Sequence, residues 1–264
     1  MEPTGTTIDT RSRLRIAALA DVHYARQPQA SLVPLLDQIA QEADVMLLCG
    51  DLTHYGLVEE ALALTKDLAH VAVPVVAVLG NHDYHSDHQD EIRRVLTDAR
   101  VHVLDGDAVE IKGVGFAGVK GFIGGFGRFI LEPWGESQLR SLVRDAVEES
   151  LRLESALARL HAATRVAVLH YAPIGDTVRG EPPEIQPFLG SSRLEEPLNR
   201  FQVAAAFHGH AHHGAPEGRT SAGVAVYNVS MPLLRRVFPD RPPYRVVEVE
   251  VLQPEAAPSS DGHS

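Results

Sequence analysis

Five short runs dominated by apolar residues each end on a residue that can bind a metal, and this pattern constrains the chain more than any other. Residues 14–20 (LRIAALA) lead into Asp21 and His23, and residues 45–49 (VMLLC) into Gly50 and Asp51. Residues 75–79 (VVAVL) are followed by Gly80, Asn81, His82 and Asp83. Residues 166–169 (VAVL) are followed by His170, and residues 204–207 (AAAF) by His208, Gly209, His210, Ala211 and His212. A short continuous apolar run is what a strand covered on both faces requires. Segments of helical period separate the first three runs, with Leu32, Leu35, Leu36, Ile39 and Ala43 inside 28–43, and Leu57, Ala61, Leu62, Thr65 and Leu68 inside 57–69. Such alternation of strand and helix builds a parallel sheet with right-handed crossovers. Ligands of open α/β sheets collect outside the carboxyl ends of the strands, so residues remote in sequence meet in one crevice.

The residue types at those ends suit metals. Asp21 and His23 lie two apart, which puts both on one side of an extended segment where they can grip one ion. His210 and His212 repeat the spacing. Asp51 is an additional carboxylate, suited to bridging two ions. Two ions about 3.5–4 Å apart can bind a phosphate, activate a water and stabilise the leaving oxygen. Carboxylate, imidazole and amide donors together suit Mn, Fe or Zn better than Ca or Mg alone. Glycines at 50, 80 and 209 let the backbone turn sharply beside the ions. A single Asp, Asn or Gly after a strand is ordinarily just a turn residue. Seven candidate ligands at five strand ends are not accounted for in that way.

Further along, Ser86 is the expected N-cap of a helix carrying Ile92, Val95 and Leu96. Short strands are expected within 101–119, a long amphipathic helix over 136–160, and further strands over 224–229 and 244–251. The glycine-rich stretch 121–128 lacks the Gly-Lys-Ser/Thr ending of a phosphate loop and reads as a rim loop of the cleft. Residues 175–193 read as a long loop, in which Arg193 is a candidate substrate contact; His54 and His213 are two more. No hydrophobic cap is legible.

With 264 residues, the chain fits a single domain over 14–252, a flexible N-terminus over 1–13 and a disordered tail over 253–264. Lys plus Arg number 24 against 35 Asp plus Glu, a net charge of −11 that repels a nucleic-acid polymer. A small anionic substrate is still attracted, because bound cations dominate the local field. The longest apolar stretch, 71–79, is broken by Pro74 and too short to span a bilayer. The N-terminus carries no apolar run of the secretory type, and the one cysteine, Cys49, precludes an intrachain disulfide. Together these features point to the cytoplasm, with no membrane partner. A homo-oligomer is compatible with all of them.

In order along the chain, Asp21-Val22-His23, Gly50-Asp51-Leu52-Thr53-His54, Gly80-Asn81-His82-Asp83, Leu169-His170-Tyr171-Ala172-Pro173 and Gly209-His210-Ala211-His212 resemble the motifs of the calcineurin-like metallophosphoesterase family. The resemblance runs from about Asp21 to His212. It implies an α/β fold, a four-layer αββα sandwich of two mixed β-sheets flanked by helices. It implies one metal held by Asp21, His23, Asp51 and His212, and a second by Asp51, Asn81, His170 and His210. Asp51 and a hydroxide would bridge them, the hydroxide attacking phosphorus in line. His82 would stabilise the transition state or protonate the leaving oxygen, oriented by Asp83. The expected activity is metal-dependent phosphoester hydrolysis, with small nucleotide-like diesters favoured and phosphomonoesters as a second class. The alternatives are a phosphatase proper and a non-catalytic metal-binding scaffold; the intact His82 and complete ligand set speak against the scaffold.

Overall fold

The apolar runs become strands because each has two faces to bury. The computed structural model describes residues 12–26 and 31–252. The expectations for the tail, for most of the N-terminus and for the start of the first helix fall outside those residues. The chain runs β1 (Arg13–Leu19), α1 (Val33–Glu42), β2 (Val45–Cys49), α2 (Val58–Leu68), β3 (Val75–Val78), α3 (Gln89–Asp98), β4 (Val101–Val103), β5 (Asp107–Ile111) and β6 (Val114–Val119). It continues through α4 (Ser137–Ala158), β7 (Thr164–Leu169), α5 (Glu195–Arg200), β8 (Ala205–His208), β9 (Glu217–Arg219), β10 (Ala225–Asn228), α6 (Met231–Val237) and β11 (Arg245–Glu250).

Two mixed sheets result. One has the order β11-β1-β2-β3-β4 and the other β5-β6-β7-β8-β10-β9. Neighbours from β1 to β4 are parallel, and β11 closes that sheet antiparallel to β1. In the second sheet β6, β7, β8 and β10 are parallel, with β5 and β9 antiparallel at the edges. The alternation of side chains along each strand explains the layering. Met46 and Leu48 of β2 pack into a core with Leu36 and Ile39 of α1 and Leu64 of α2. Val45, Leu47 and Cys49 point the other way, into a core between the sheets with Phe116, Val166, Val168 and Phe207. Ala167 and Leu169 of β7 turn outward onto Leu153, Ala156 and Leu157 of α4 and Leu198 of α5. The order is therefore helix, sheet, sheet, helix, as expected. Each fully buried Leu or Phe contributes roughly 1.5–3 kcal/mol by leaving water.

Register then sets the site. Leu19 pairs with Leu48, and Cys49 with Val78, so the first three strands end at one level. Val168 pairs with Phe207, which brings the segments after β7 and β8 to a common level too. Several details differ from the sequence expectation. Ser86 does not cap α3: its hydroxyl donates to the Tyr55 carbonyl oxygen (2.7 Å), and the helix begins after His88. The loop 175–193 holds three short 3-10 turns. The elements α5, β9 and α6 were not foreseen. Among the described residues, no helix is long and apolar enough to cross a membrane.

Candidate active site

The strand-end residues converge. Asp21, His23 and His212 present ligand atoms within 4.8 Å of one another, and so do Asp51, His170 and His210. His212 Nε2 lies 3.3 Å from Asp21 Oδ1, and His170 Nε2 lies 3.2 Å from Asp51 Oδ1. Asn81 joins the second group, its Oδ1 2.9 Å from His170 Nε2. Asp51 stands between the groups, since its Oδ2 is 3.9 Å from His23 Nε2. Asp21, His23, Asp51 and His210 all have positive φ, at 58°, 46°, 51° and 68°. Non-glycine residues avoid that region, and strain gathered in this way marks functional sites. Gly80 shows how tightly the backbone wraps the centre: a Cβ there would lie 2.1 Å from Asp51 Oδ1 and 2.8 Å from His170 Nε2.

The donors fit metal ions. His23 Nδ1 is buried with no hydrogen-bond partner among the described residues, and Nε2 is the nitrogen that faces Asp51 and is left for an ion. His170 Nδ1 faces the Cys49 carbonyl oxygen at 2.9 Å, which fixes the ring and leaves Nε2 for the centre. His210 is held in the opposite sense, its Nε2 3.2 Å from the Phe188 carbonyl oxygen, which leaves Nδ1 as the free nitrogen. Burial, with the neighbouring His170, lowers the His210 imidazole to about 4, so it is neutral and ready to ligate. Burial also disfavours charge on His170, but Asp51 beside it prevails and raises it to about 9. The reciprocal interaction outweighs burial at Asp51 and holds its carboxyl well below the usual range. A cation and a proton thus compete for the same His170 nitrogen.

His82 adjoins this centre. Its backbone N–H donates to Asp51 Oδ1 (2.9 Å) and its Nε2 is 4.0 Å from Asp51 Oδ2. The partner of its Nδ1 is the His54 carbonyl oxygen at 2.8 Å. That carbonyl is placed by Glu60, which accepts the backbone N–H groups of His54 (3.1 Å), Tyr55 (2.8 Å) and Leu57 (3.3 Å). The His54 ring stacks on His82 at 6.1 Å between centroids and meets His23 edge-on at 5.9 Å. The His54 ring therefore lies beside His23 and His82, and through its backbone the residue does something the sequence did not suggest.

Three expectations need correction. Asp83 does not orient His82. Its carboxylate is fully buried and already accepts Thr53 N (2.8 Å), Thr53 Oγ1 (2.6 Å), Gly80 N (2.8 Å) and Leu52 N (3.2 Å), so it ties the loop after β2 to the loop after β3. Burial and the nearby Asp51 raise it to about 6. Arg193 is held on the rim and not at the ligand groups: Nη2 lies 3.0 Å from the Leu131 carbonyl oxygen and 3.7 Å from Glu132, while Nε is buried with no partner among the described residues. His213 is exposed outside the histidine groups, its backbone N–H donating to Glu181 (2.6 Å). His208 is buried behind the site, between the Gly209 carbonyl oxygen and Thr177 Oγ1, both at 2.8 Å. For Asp83→Asn the expected outcome is a loss of roughly 2–3 kcal/mol in unfolding free energy by urea titration, since an amide nitrogen would face buried donors. Unchanged stability with a reduced rate would instead restore the orienting role.

None of the curated proteins matches this chain. Among solved structures, phosphopantetheinyl hydrolase from Mycobacterium tuberculosis has a TM-score of 0.64 at 16% identity, with 92% of this chain and 98% of that one covered. A protein of Thermus thermophilus has a TM-score of 0.58 at 16% identity, covering 91% and 100%. A putative 5'-nucleotidase from Staphylococcus aureus has a TM-score of 0.52 at 16% identity, covering 82% and 48%. At such identities the likeness shows the fold alone. The family model described as calcineurin-like phosphoesterase matches residues 14–214, a span that holds all the residues gathered at the centre, and the chain belongs to that family.

Proposed function

We propose that the protein is a metal-dependent phosphodiesterase acting on small, nucleotide-like diesters, with phosphomonoesters as poorer substrates. Asp21, His23, Asp51 and His212 would hold one ion, and Asp51, Asn81, His170 and His210 the other. The mixed oxygen and nitrogen donors suit Mn, Fe or Zn. Bound there, such ions polarise a phosphoryl oxygen and acidify water. The chain's own contribution is to place and orient. Asp51 is set by the turn after β2 and holds the His82 backbone. The His54 carbonyl accepts from the Nδ1–H of His82, which leaves Nε2 beside the centre, where the doubly protonated ring would give a proton to the leaving oxygen. That free nitrogen is the observation that carries the hydrolase reading, because a scaffold has no use for it. A cytoplasmic location belongs to the same proposal, supported by the single, buried, free Cys49.

The preference for diesters rests on charge. Fold neighbours carry names as different as phosphopantetheinyl hydrolase and 5'-nucleotidase, so the choice falls to this chain's own cleft. The side chains that meet at the centre are aspartates, an asparagine and histidines. Lys120, at the end of β6, lies over the rings of Phe122 (4.8 Å), Tyr171 (5.1 Å) and Tyr84 (5.4 Å) and donates to the Gly121 carbonyl oxygen. Among the described residues, Asp21 and Asp51 are paired with histidines and not with Arg or Lys, so only the bound ions would meet the second charge of a monoester, which favours the single charge of a diester. With Mn added, kcat/KM for bis(4-nitrophenyl) phosphate should exceed that for 4-nitrophenyl phosphate by at least about 10-fold, a difference of roughly 1.4 kcal/mol in transition-state binding. The reverse order would make the protein a phosphomonoesterase, and no turnover of either ester with several metals would leave the scaffold.

A further inference from the structure

The rim beside His210 carries aromatic side chains that the fold does not use. Phe129 and Trp134, between β6 and α4, are 75% and 73% exposed, and Phe188, between β7 and α5, is 57% exposed with Ile185 at 41%. Scattered exposed apolar residues are ordinary, but exposed aromatic residues on two hydrogen-bonded loops, one of which reaches His210 through the Phe188 carbonyl, point to a binding surface. The two loops form one lip. Gly124 N donates to the Pro187 carbonyl oxygen (2.9 Å), Gly125 N to Gly190 (2.9 Å), Ser192 N to Gly125 (3.0 Å) and Leu131 N to Gly124 (2.7 Å). Arg193 pins the outer turn through Leu131. Phe126 anchors the lip inward against Ala172, Leu189 and Ala211. The lip is continuous with the metal centre, because the residue whose carbonyl holds His210 Nε2 is Phe188 itself.

We infer that this lip is a subsite for an apolar arm of the substrate, an alkyl or aryl group esterified to the phosphate. The inference rests on the diesterase reading, which supplies a second organic arm. A charged arm, such as a second phosphate, finds less there. Arg193 Nη2 is engaged by Leu131 and Glu132, with its buried Nε lacking a partner among the described residues, Arg179 is held by Asp176 (2.7 Å), and Arg128 lies over the Phe129 ring (4.7 Å). Preorganisation by the loop–loop hydrogen bonds means that little ordering is left to be done on binding.

Trp134 is the only tryptophan in the chain, so its emission reports on the lip directly. The test titrates the full-length, metal-loaded protein with methylphosphonate and with octylphosphonate below its micelle concentration. Octylphosphonate should bind at least about 10-fold more tightly and shift the Trp134 emission to shorter wavelength. In the double variant Phe129→Ser, Phe188→Ser the ratio of the two affinities should fall towards one. Equal binding of the two probes by the unaltered protein, or an undiminished ratio in the variant, overturns the inference. So does a fall in the sedimenting mass of the free protein on making the variant, which would assign the lip to contacts between copies of the chain. If diesters are not turned over yet the octyl preference is present and is lost in the variant, the lip stands and the diesterase reading falls.

Discussion

Asp51→Asn is expected to lower bound metal from the proposed two ions per chain to fewer than one and to slow the proposed diester hydrolysis by at least about 10³-fold. Asp51 is 1% exposed and lies between the two ligand groups, with one oxygen towards His170 and the other towards His23. A unit charge at about 4 Å in a partly buried site is worth roughly 4 kcal/mol. Removing it weakens the hold on both cations together, whereas the outer ligands each act on one. The amide keeps one oxygen for the His82 N–H but puts a donor where the other carboxylate oxygen faced His23. Metal content by plasma mass spectrometry, steady-state rates and circular dichroism on the same preparation separate this effect from unfolding. Full metal occupancy with an undiminished rate would show that Asp51 does not bridge.

His82→Ala is expected to leave the metal content unchanged and to reduce kcat by about 10²–10⁴-fold, the usual contribution of a positioned acid or base. The dependence on leaving group makes the prediction specific. A 4-nitrophenolate departs without much help, whereas an alkoxide needs its proton. The variant should therefore lose more on a diester with an alkyl leaving group than on one with 4-nitrophenol. An equal loss on both would mean that His82 does not give the proton. Loss of metal in the variant would move His82 into the ligand set with His23 and His54, since the three present ring nitrogens within 4.8 Å of one another.

The residues gathered at the centre were legible because each follows an apolar run directly. Burying both faces of such runs forces them into a sheet, and a parallel sheet brings its carboxyl ends to one place. The helix–sheet–sheet–helix layering came from the family resemblance, and the alternation of Val45, Leu47 and Cys49 against Met46 and Leu48 shows its cause. What was not legible falls into two kinds. Backbone carbonyls leave no trace in a sequence, so the partners of His82, His170 and His210 at His54, Cys49 and Phe188 could not be foreseen. Features on irregular segments were misjudged because no period governs them. Asp83 read as a catalytic partner but is saturated by donors from its own and the neighbouring loop, Ser86 read as a cap but is drawn to Tyr55, and the exposed aromatic lip lies on loops rich in glycine and proline. The pairing of β11 with β1 joins opposite ends of the chain, which no local pattern encodes.

Anomalous diffraction from a crystal of the protein grown with Mn tests the central claim most directly. The account predicts two peaks about 3.5–4 Å apart with Asp51 between them. One should lie against Asp21, His23 and His212, and the other against Asn81, His170 and His210. A single peak, or peaks away from Asp51, would contradict it.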